Sequence, residues 1–373
     1  MNVLFLDQFS ALGGAQRCLL DLLPAAAERG WNARVAIPPG GPLAEVLRSR
    51  GIEVDELQCG PYTCGTKSAA DLLQFAADVP RQTSAIAHLI KDADLVYVNG
   101  PRLLAAAALA TKKRVPLLFH AHHRIEQKSA RYLQGLALRR SGGIVVACCE
   151  AVAQPLRHWV PDDRIHVIPN GTSDLGFADR PFNRRPEWRI GVIGRIAPEK
   201  GQIEFLRAAA RLVETTSHTR FVICGAPLFG DRKYYNDVLE LAAGLPVEFL
   251  DWQEDVGSVM RDLDILVIPS KQEGMPRILL EALSAGVPVV AFPVGGIPEV
   301  IEDRSTGFLA RGELWATLQE VLESDPAAVR GVVDRARREW ERRYRVETYR
   351  ERITSLMAQY VPSADRETAA PQR

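Results

Sequence analysis

Several features that would each point to a function class are missing from this sequence. Its 46 Lys+Arg and 46 Asp+Glu cancel, so no global field draws nucleic acid or an acidic partner, and any basic surface must be local. Six cysteines occur (Cys18, Cys59, Cys64, Cys148, Cys149, Cys224), yet none form a CxxC pair, and two are adjacent in the strand-like run VVACC. That pattern points to reduced thiols in a cytosolic protein and away from zinc or a disulfide framework. No window approaches about 18 uninterrupted apolar residues, so no membrane-spanning helix is expected. The start, MNVLFLDQFSALGG, lacks a basic n-region and reads as a strand rather than a signal peptide. GxGxxG and GK[ST] are absent too, which removes the dinucleotide and Walker signatures.

What is present is length and alternation. A chain of 373 residues with 47% hydrophobic content can build two domains with proper cores. Short apolar runs (VLFLD, RVAIPP, IEVDEL, LVYVN, PLLFH, GIVVACC, IHVIP) alternate with helical patterns up to residue 170. A second series (RIGVIG, FVICG, VEFLD, ILVIPS, PVVAF, GFLA) follows from residue 189. Strands this apolar, joined by helix-like sequence, imply parallel sheets covered on both faces, hence an α/β protein of two doubly wound, Rossmann-like domains. The polar, aperiodic stretch 170–188 reads as a linker. The expected division is 1–175, then 188–345, then a C-terminal helix 346–361 packing back toward the first domain, and a disordered tail 362–373.

In open parallel sheets, ligands bind beyond the carboxyl ends of the strands, where strand order switches. Three loops there draw notice. Gly13 and Gly14 precede a leucine-rich helix, and glycines let backbone amides approach an anion at a helix N-terminus, although a plain turn has the same composition. Arg195 follows a strand directly and Lys200 lies five residues on, before Gly201 opens a helix: a guanidinium fork plus an ammonium point charge suit a diphosphate, though isolated cations are usually solvated. In EGMPRILLEALSAGVPVV (273–290), Pro276 starts and Gly286 and Pro288 stop a short helix with an apolar face of Ile278, Leu279, Ala282 and Leu283. Glu273 then sits in the loop and Glu281 on the second turn. A dipole-favoured loop carboxylate and a solvated glutamate are the bland reading of that pair.

Together these segments resemble the retaining glycosyltransferases of the glycogen-synthase-like superfamily (group 1, family 4), which have the GT-B fold, two such domains facing across a cleft. The resemblance covers nearly the whole chain through GGAQR, PPGGPLAEVLRSRGIEV, VIPNG, GRIAPEKG, DILVIPS, EGMPRILLEALSAGVPVVA and VGGIPEVIEDRSTGFL. It implies transfer of a sugar from a nucleotide diphosphate, with UDP or GDP expected, to a sugar, lipid-linked or small-molecule acceptor in glycan, glycolipid or secondary-metabolite synthesis. The donor is a substrate, and no cofactor or metal is implied. Glu273 would face the donor sugar's hydroxyls, Glu281 the ribose, and Gly274, Met275 and Pro276 the diphosphate at the helix start. Arg195 and Lys200 would neutralise the leaving group, with Gly13 and Gly14 closing over it. The family's histidine falls on His122 of VPLLFHAHHR, with His120 on the same strand face. Met275-Pro276-Arg277, Cys149 and Asp251 depart from the family's usual residues, and Arg277 puts the donor or acceptor preference in question.

HxHH without a partner cluster at ligand spacing gives no metal site, and the DxD tripeptides 92–94 and 262–264 lead into apolar strands, where aspartates end the preceding turn. Segment 123–140, with five Lys/Arg, one Glu and interleaved Ile125, Tyr132, Leu133, Leu136 and Leu138, suggests peripheral contact with an anionic membrane at its cytoplasmic face, or a solvated helix. Two rival functions are a GT-B epimerase of nucleotide sugars and a non-catalytic sugar-nucleotide-binding subunit.

Overall fold

Thirteen apolar runs become thirteen strands. A computed structural model describes residues 1–60, 69–177, 182, 187–216, 218–227 and 232–361; Cys64, the stretches 178–181 and 183–186 of the proposed linker and the proposed tail lie outside them. β1 (Asn2–Asp7), β2 (Asn32–Ile37), β3 (Glu53–Glu56), β4 (Leu95–Asn99), β5 (Leu117–Ala121), β6 (Ile144–Ala147) and β7 (Ile165–Val167) form a parallel sheet ordered β3-β2-β1-β4-β5-β6-β7. β8 (Trp188–Ile193), β9 (Thr219–Cys224), β10 (Val247–Leu250), β11 (Ile265–Ile268), β12 (Val289–Ala291) and β13 (Phe308–Leu309) form a second, ordered β10-β9-β8-β11-β12-β13. Central strands β4, β5, β6 and β11 are buried at every residue, the pattern of a strand covered on both faces.

The chain divides into two compact units, Met1–Pro169 with Glu347–Arg373, and Asn170–Val346. Residues 170–175, assigned to the first domain from sequence, pack in the second unit: Thr172 accepts from the Trp340 indole at 2.9 Å and its amide bonds the Tyr344 carbonyl at 2.9 Å. A polar run looks like a linker until its partners, some 170 residues on, are known. In the first unit, Tyr349, Ile353, Leu356 and Met357 of the helix Val346–Tyr360 join the core formed by Phe5, Leu19, Tyr97 and Leu118. In the second, Phe205, Phe221, Val267 and Leu318 centre the core.

Each sheet reverses its strand order once, between β1 and β4 and between β8 and β11. Register sets Asp7 opposite Asn99 at the first reversal. At the opposite end of each sheet, the final aspartates of the DxD tripeptides clasp the incoming first strand. Asp94 Oδ2 accepts the Asn2 amide at 2.6 Å and Asp264 Oδ2 the Arg189 amide at 2.9 Å, which is a structural use of both.

Candidate active site

In the second unit, two loops leave the sheet at its order reversal and are bound to each other. After β8, Arg195 pairs with Glu199, and its carbonyl accepts the Gln202 amide group at 2.9 Å. Gly201 then turns the chain at φ 74° into the helix Gln202–Thr215. A Cβ there would lie 1.9 Å from the Pro269 carbonyl oxygen, so only glycine lets this turn press on the loop after β11. From that second loop the Lys271 amide bonds the Glu199 carbonyl at 2.9 Å. Lys200 Nζ reaches Glu273 Oε1 at 2.6 Å, and the Ser270 hydroxyl donates to the same oxygen at 2.7 Å.

Glu273 is also held from behind. Gly295, at φ 56°, approaches so closely that a Cβ would lie 1.8 Å from the Glu273 carbonyl oxygen, and the Gly296 amide donates to the Gly274 carbonyl at 2.7 Å. Asn170 Nδ2 donates to the Met275 carbonyl at 2.9 Å. Pro276, in extended conformation, then caps the helix Arg277–Ala285, which ends at left-handed Gly286. The buried face of this helix is Leu279, Leu280, Ala282, Leu283 and Ala285, while Ile278 is half-buried, so the apolar face expected from sequence is rotated. Arg277 donates to the Gly171 carbonyl at 2.9 Å and lies 3.8 Å from Glu281, one turn on. Arg195, Lys200, Glu273, Gly274, Met275, Pro276 and Glu281 thus all belong to this unit, at or next to its order reversal. A helix N-terminus, two cations and two carboxylates together can hold a phosphate ester and orient hydroxyls.

Gly13, Gly14 and His122 belong to the first unit, at the carboxyl edge of its own sheet. Gly13 caps the helix Gly14–Glu28, and its amide donates to Gln16 Oε1 at 3.2 Å. The two candidate histidines separate by environment. His120 is fully buried, contacts the Tyr97 hydroxyl at 2.5 Å, and is pushed down by burial to about 3, so it is a neutral core residue at physiological pH. His122 is half-buried just past β5, its ring 3.9 Å from that of His120, with Nε2 2.6 Å from Asn99 Oδ1.

Sequence reasoning missed the residues that brace these groups: Ser270, Asn170 and Gly295 in one unit, Asp7, Gln16 and Asn99 in the other. Asp7 is fully buried, and burial pushes its carboxyl up to about 6 against the lowering effect of its hydrogen bonds to Asn99, Phe9 and Gln16. Its place at a strand end beside the order reversal was the available signal. Among the described residues no cluster of three His, Cys, Asp or Glu could hold a metal, and no helix is long and apolar enough to cross a membrane.

Residues 187–324 match the family described as glycosyl transferases group 1, and residues 13–171 the glycosyl transferase 4-like domain. A D-inositol 3-phosphate glycosyltransferase of Nocardia farcinica is 30% identical over 322 residues, 77% of this chain and 70% of that protein. Its counterpart in Corynebacterium efficiens is 30% identical over 230 residues, 55% of this chain and 54% of that protein, so the chain spans about half that relative's length. In fold, the chain is similar to Anabaena HepE in complex with UDP-glucose, at TM-score 0.81 and 23% identity over 96% of this chain and 100% of that one.

Proposed function

Since the chain belongs to the group 1 glycosyltransferases, we propose that it is a retaining, metal-independent hexosyltransferase that moves a sugar from a nucleotide diphosphate to an acceptor hydroxyl. The observation that supports this reading most is the Lys200–Glu273 contact at 2.6 Å, with Arg195 on the same loop pair and the Pro276-capped helix beside it. Pyrophosphate is held by Arg195, Lys200 and the first amides of the helix Arg277–Ala285, and Glu273 takes the sugar hydroxyls. Glu281 takes the ribose hydroxyls, braced by Arg277. In the first unit, Gly13 and Gly14 offer amides to an anion, and His122 meets a sugar hydroxyl.

The bond from the anomeric carbon to the phosphate oxygen breaks, and its electron pair stays on the diphosphate. The acceptor oxygen bonds the same face of that carbon, and its proton passes to a phosphate oxygen. Charge grows on the leaving group as the sugar becomes cationic, so fixed cations and amides at the phosphate lower the barrier more than they stabilise the bound donor.

The UDP-glucose bound by HepE makes UDP-hexoses the first donors to try, and the inositol phosphate in the relatives' names makes a ring hydroxyl the first acceptor. A thermal-shift panel of nucleotide sugars identifies the donor by its stabilisation of the folded chain. NMR of the product then gives the anomeric configuration: inversion contradicts the retaining mechanism. Failure of every donor to release nucleotide diphosphate contradicts the transferase reading in favour of a binding subunit.

Peripheral contact with an anionic membrane is part of the same proposal. The helix Lys128–Ser141 exposes Tyr132, Leu133 and Leu136 beside Lys128, Arg139 and Arg140, whereas Leu138, expected on that face, is buried in the core. Sedimentation with vesicles rich in anionic lipid tests it, and absence of binding removes it.

A further inference from the structure

At the order reversal of the first sheet lies a chain of buried polar groups that leads from the Gly13 turn to His122. Asp7 Oδ1 accepts the Phe9 amide at 2.9 Å and Gln16 Nε2 at 2.8 Å. Because Gln16 must turn its NH2 to that carboxylate, its oxygen is the atom left to take the Gly13 amide. Asp7 Oδ2 accepts Asn99 Nδ2 at 2.5 Å, and the same NH2 donates to the Ala15 carbonyl at 3.1 Å. Both groups on that side of Asn99 are acceptors, so its NH2 must face them and its oxygen must face His122. An amide oxygen 2.6 Å from the His122 Nε2 requires a proton on that nitrogen.

Resting on the reading of His122 as a sugar-facing residue, we infer that Asp7 is a positioning residue for it: acting through Asn99, Asp7 fixes the imidazole proton on Nε2 and leaves Nδ1 as the basic nitrogen of the neutral ring. The carboxylate is needed because only a group that accepts on both oxygens can serve Gln16 and Asn99 together. Asp7 thereby couples the glycine turn to the tautomer of the histidine.

The test is the tautomer itself, read on the full chain labelled with 15N-histidine at pH 8 by two-bond proton–nitrogen correlation. The His122 signals are assigned by their loss in His122→Gln. The wild type should show Nε2–H. In Asp7→Asn the side-chain oxygen keeps Gln16 and Phe9, its NH2 confronts the NH2 of Asn99, and Asn99 must turn over. His122 should then carry its proton on Nδ1. Should that variant not fold, Asn99→Ala should convert the single tautomer to a mixture. A wild-type ring protonated on Nδ1, or either folded variant retaining the wild-type pattern, overturns the inference. No nucleotide sugar enters the experiment, so a chain that transferred no sugar would leave this result standing, and a wrong tautomer would leave the donor chemistry of Lys200 and Glu273 untouched.

Discussion

Lys200 Nζ and Glu273 Oε1 stand 2.6 Å apart, joining the loop after β8 to the loop after β11 across 73 residues of sequence. The Glu273 side chain is 9% exposed and that of Lys200 28%, so the carboxylate is largely withdrawn from water while its counter-ion keeps an open side. A pair built this way can share its ammonium with an arriving phosphate without ever leaving the carboxylate unpaired. On the proposed roles, Lys200→Ala removes a cation from the leaving group, and it takes the ammonium away from a nearly buried carboxylate. The expected loss in kcat/KM is about 100- to 1,000-fold, the size seen when one preorganised donor to a developing anion is deleted. Lys200→Ala and Glu273→Gln should also be non-additive in stability, with a coupling of roughly 0.5–3 kcal/mol. Additive unfolding midpoints in the double-mutant cycle would show that the contact carries no energy.

Glu273 offers a separate test, because the proposed roles divide the donor between residues. Removing its carboxylate should spare the diphosphate and harm the sugar. In calorimetry, Glu273→Ala should bind the free nucleoside diphosphate within a few-fold of wild type, since most phosphate affinity rests on the cations and helix amides. Turnover of the nucleotide sugar should fall at least about 100-fold, as for loss of an interaction made mainly in the transition state. Equal loss of both contradicts the assignment.

The fold was legible because a strand buried on both faces needs a continuous apolar run. RIGVIG, FVICG and ILVIPS could hardly be anything else once each was followed by a helix-length segment. Pro276 and Gly286 likewise marked the short helix to within a residue, since one fixes φ and the other accepts the left-handed turn. Bracing was not legible. Asp7 and Asn99 lie 92 residues apart and meet only through the parallel register of β1 and β4, and Asn170 meets Met275 over 105. No local period or spacing records such contacts. The same holds for Leu138, which the amphipathic pattern could place on either side of its helix until the buried side was known.

Gly295 supports Glu273 by shape alone. Its φ of 56° is left-handed, and an added Cβ would sit 1.8 Å from the Glu273 carbonyl oxygen, a backbone atom that cannot swing aside. Gly295→Ala therefore carries about 1–2 kcal/mol from the backbone conformation, with the steric overlap in addition. The loop must move, and with it the carboxylate. The expected result is a lower Tm together with a loss of turnover resembling that of Glu273→Ala. Gly312→Ala is the control: its Cβ meets nothing within 4 Å, and its Tm should stay at the wild-type value.

Asp7 makes the pH dependence of stability a measurable property of one carboxyl. Its pKa is raised in the folded chain from 3.8 to about 6, chiefly by burial. A raised carboxyl pKa means that the folded state holds this proton more tightly than the unfolded state. The group's contribution to stability is therefore fullest below the unfolded value, falls as pH rises through the window from 3.8 to about 6, and is constant above it. The shift corresponds to about 3 kcal/mol in all, of which roughly half falls between pH 5 and 7.5. Asp7→Asn cannot ionise, so urea midpoints of wild type and variant should diverge with pH, the variant gaining on the wild type as pH rises. Every other titrating group is common to the two chains and cancels in the difference. Parallel midpoints from pH 5 to 7.5 would mean that the carboxyl is ionised throughout at no cost, and that its hydrogen-bond donors, not its burial, set its charge.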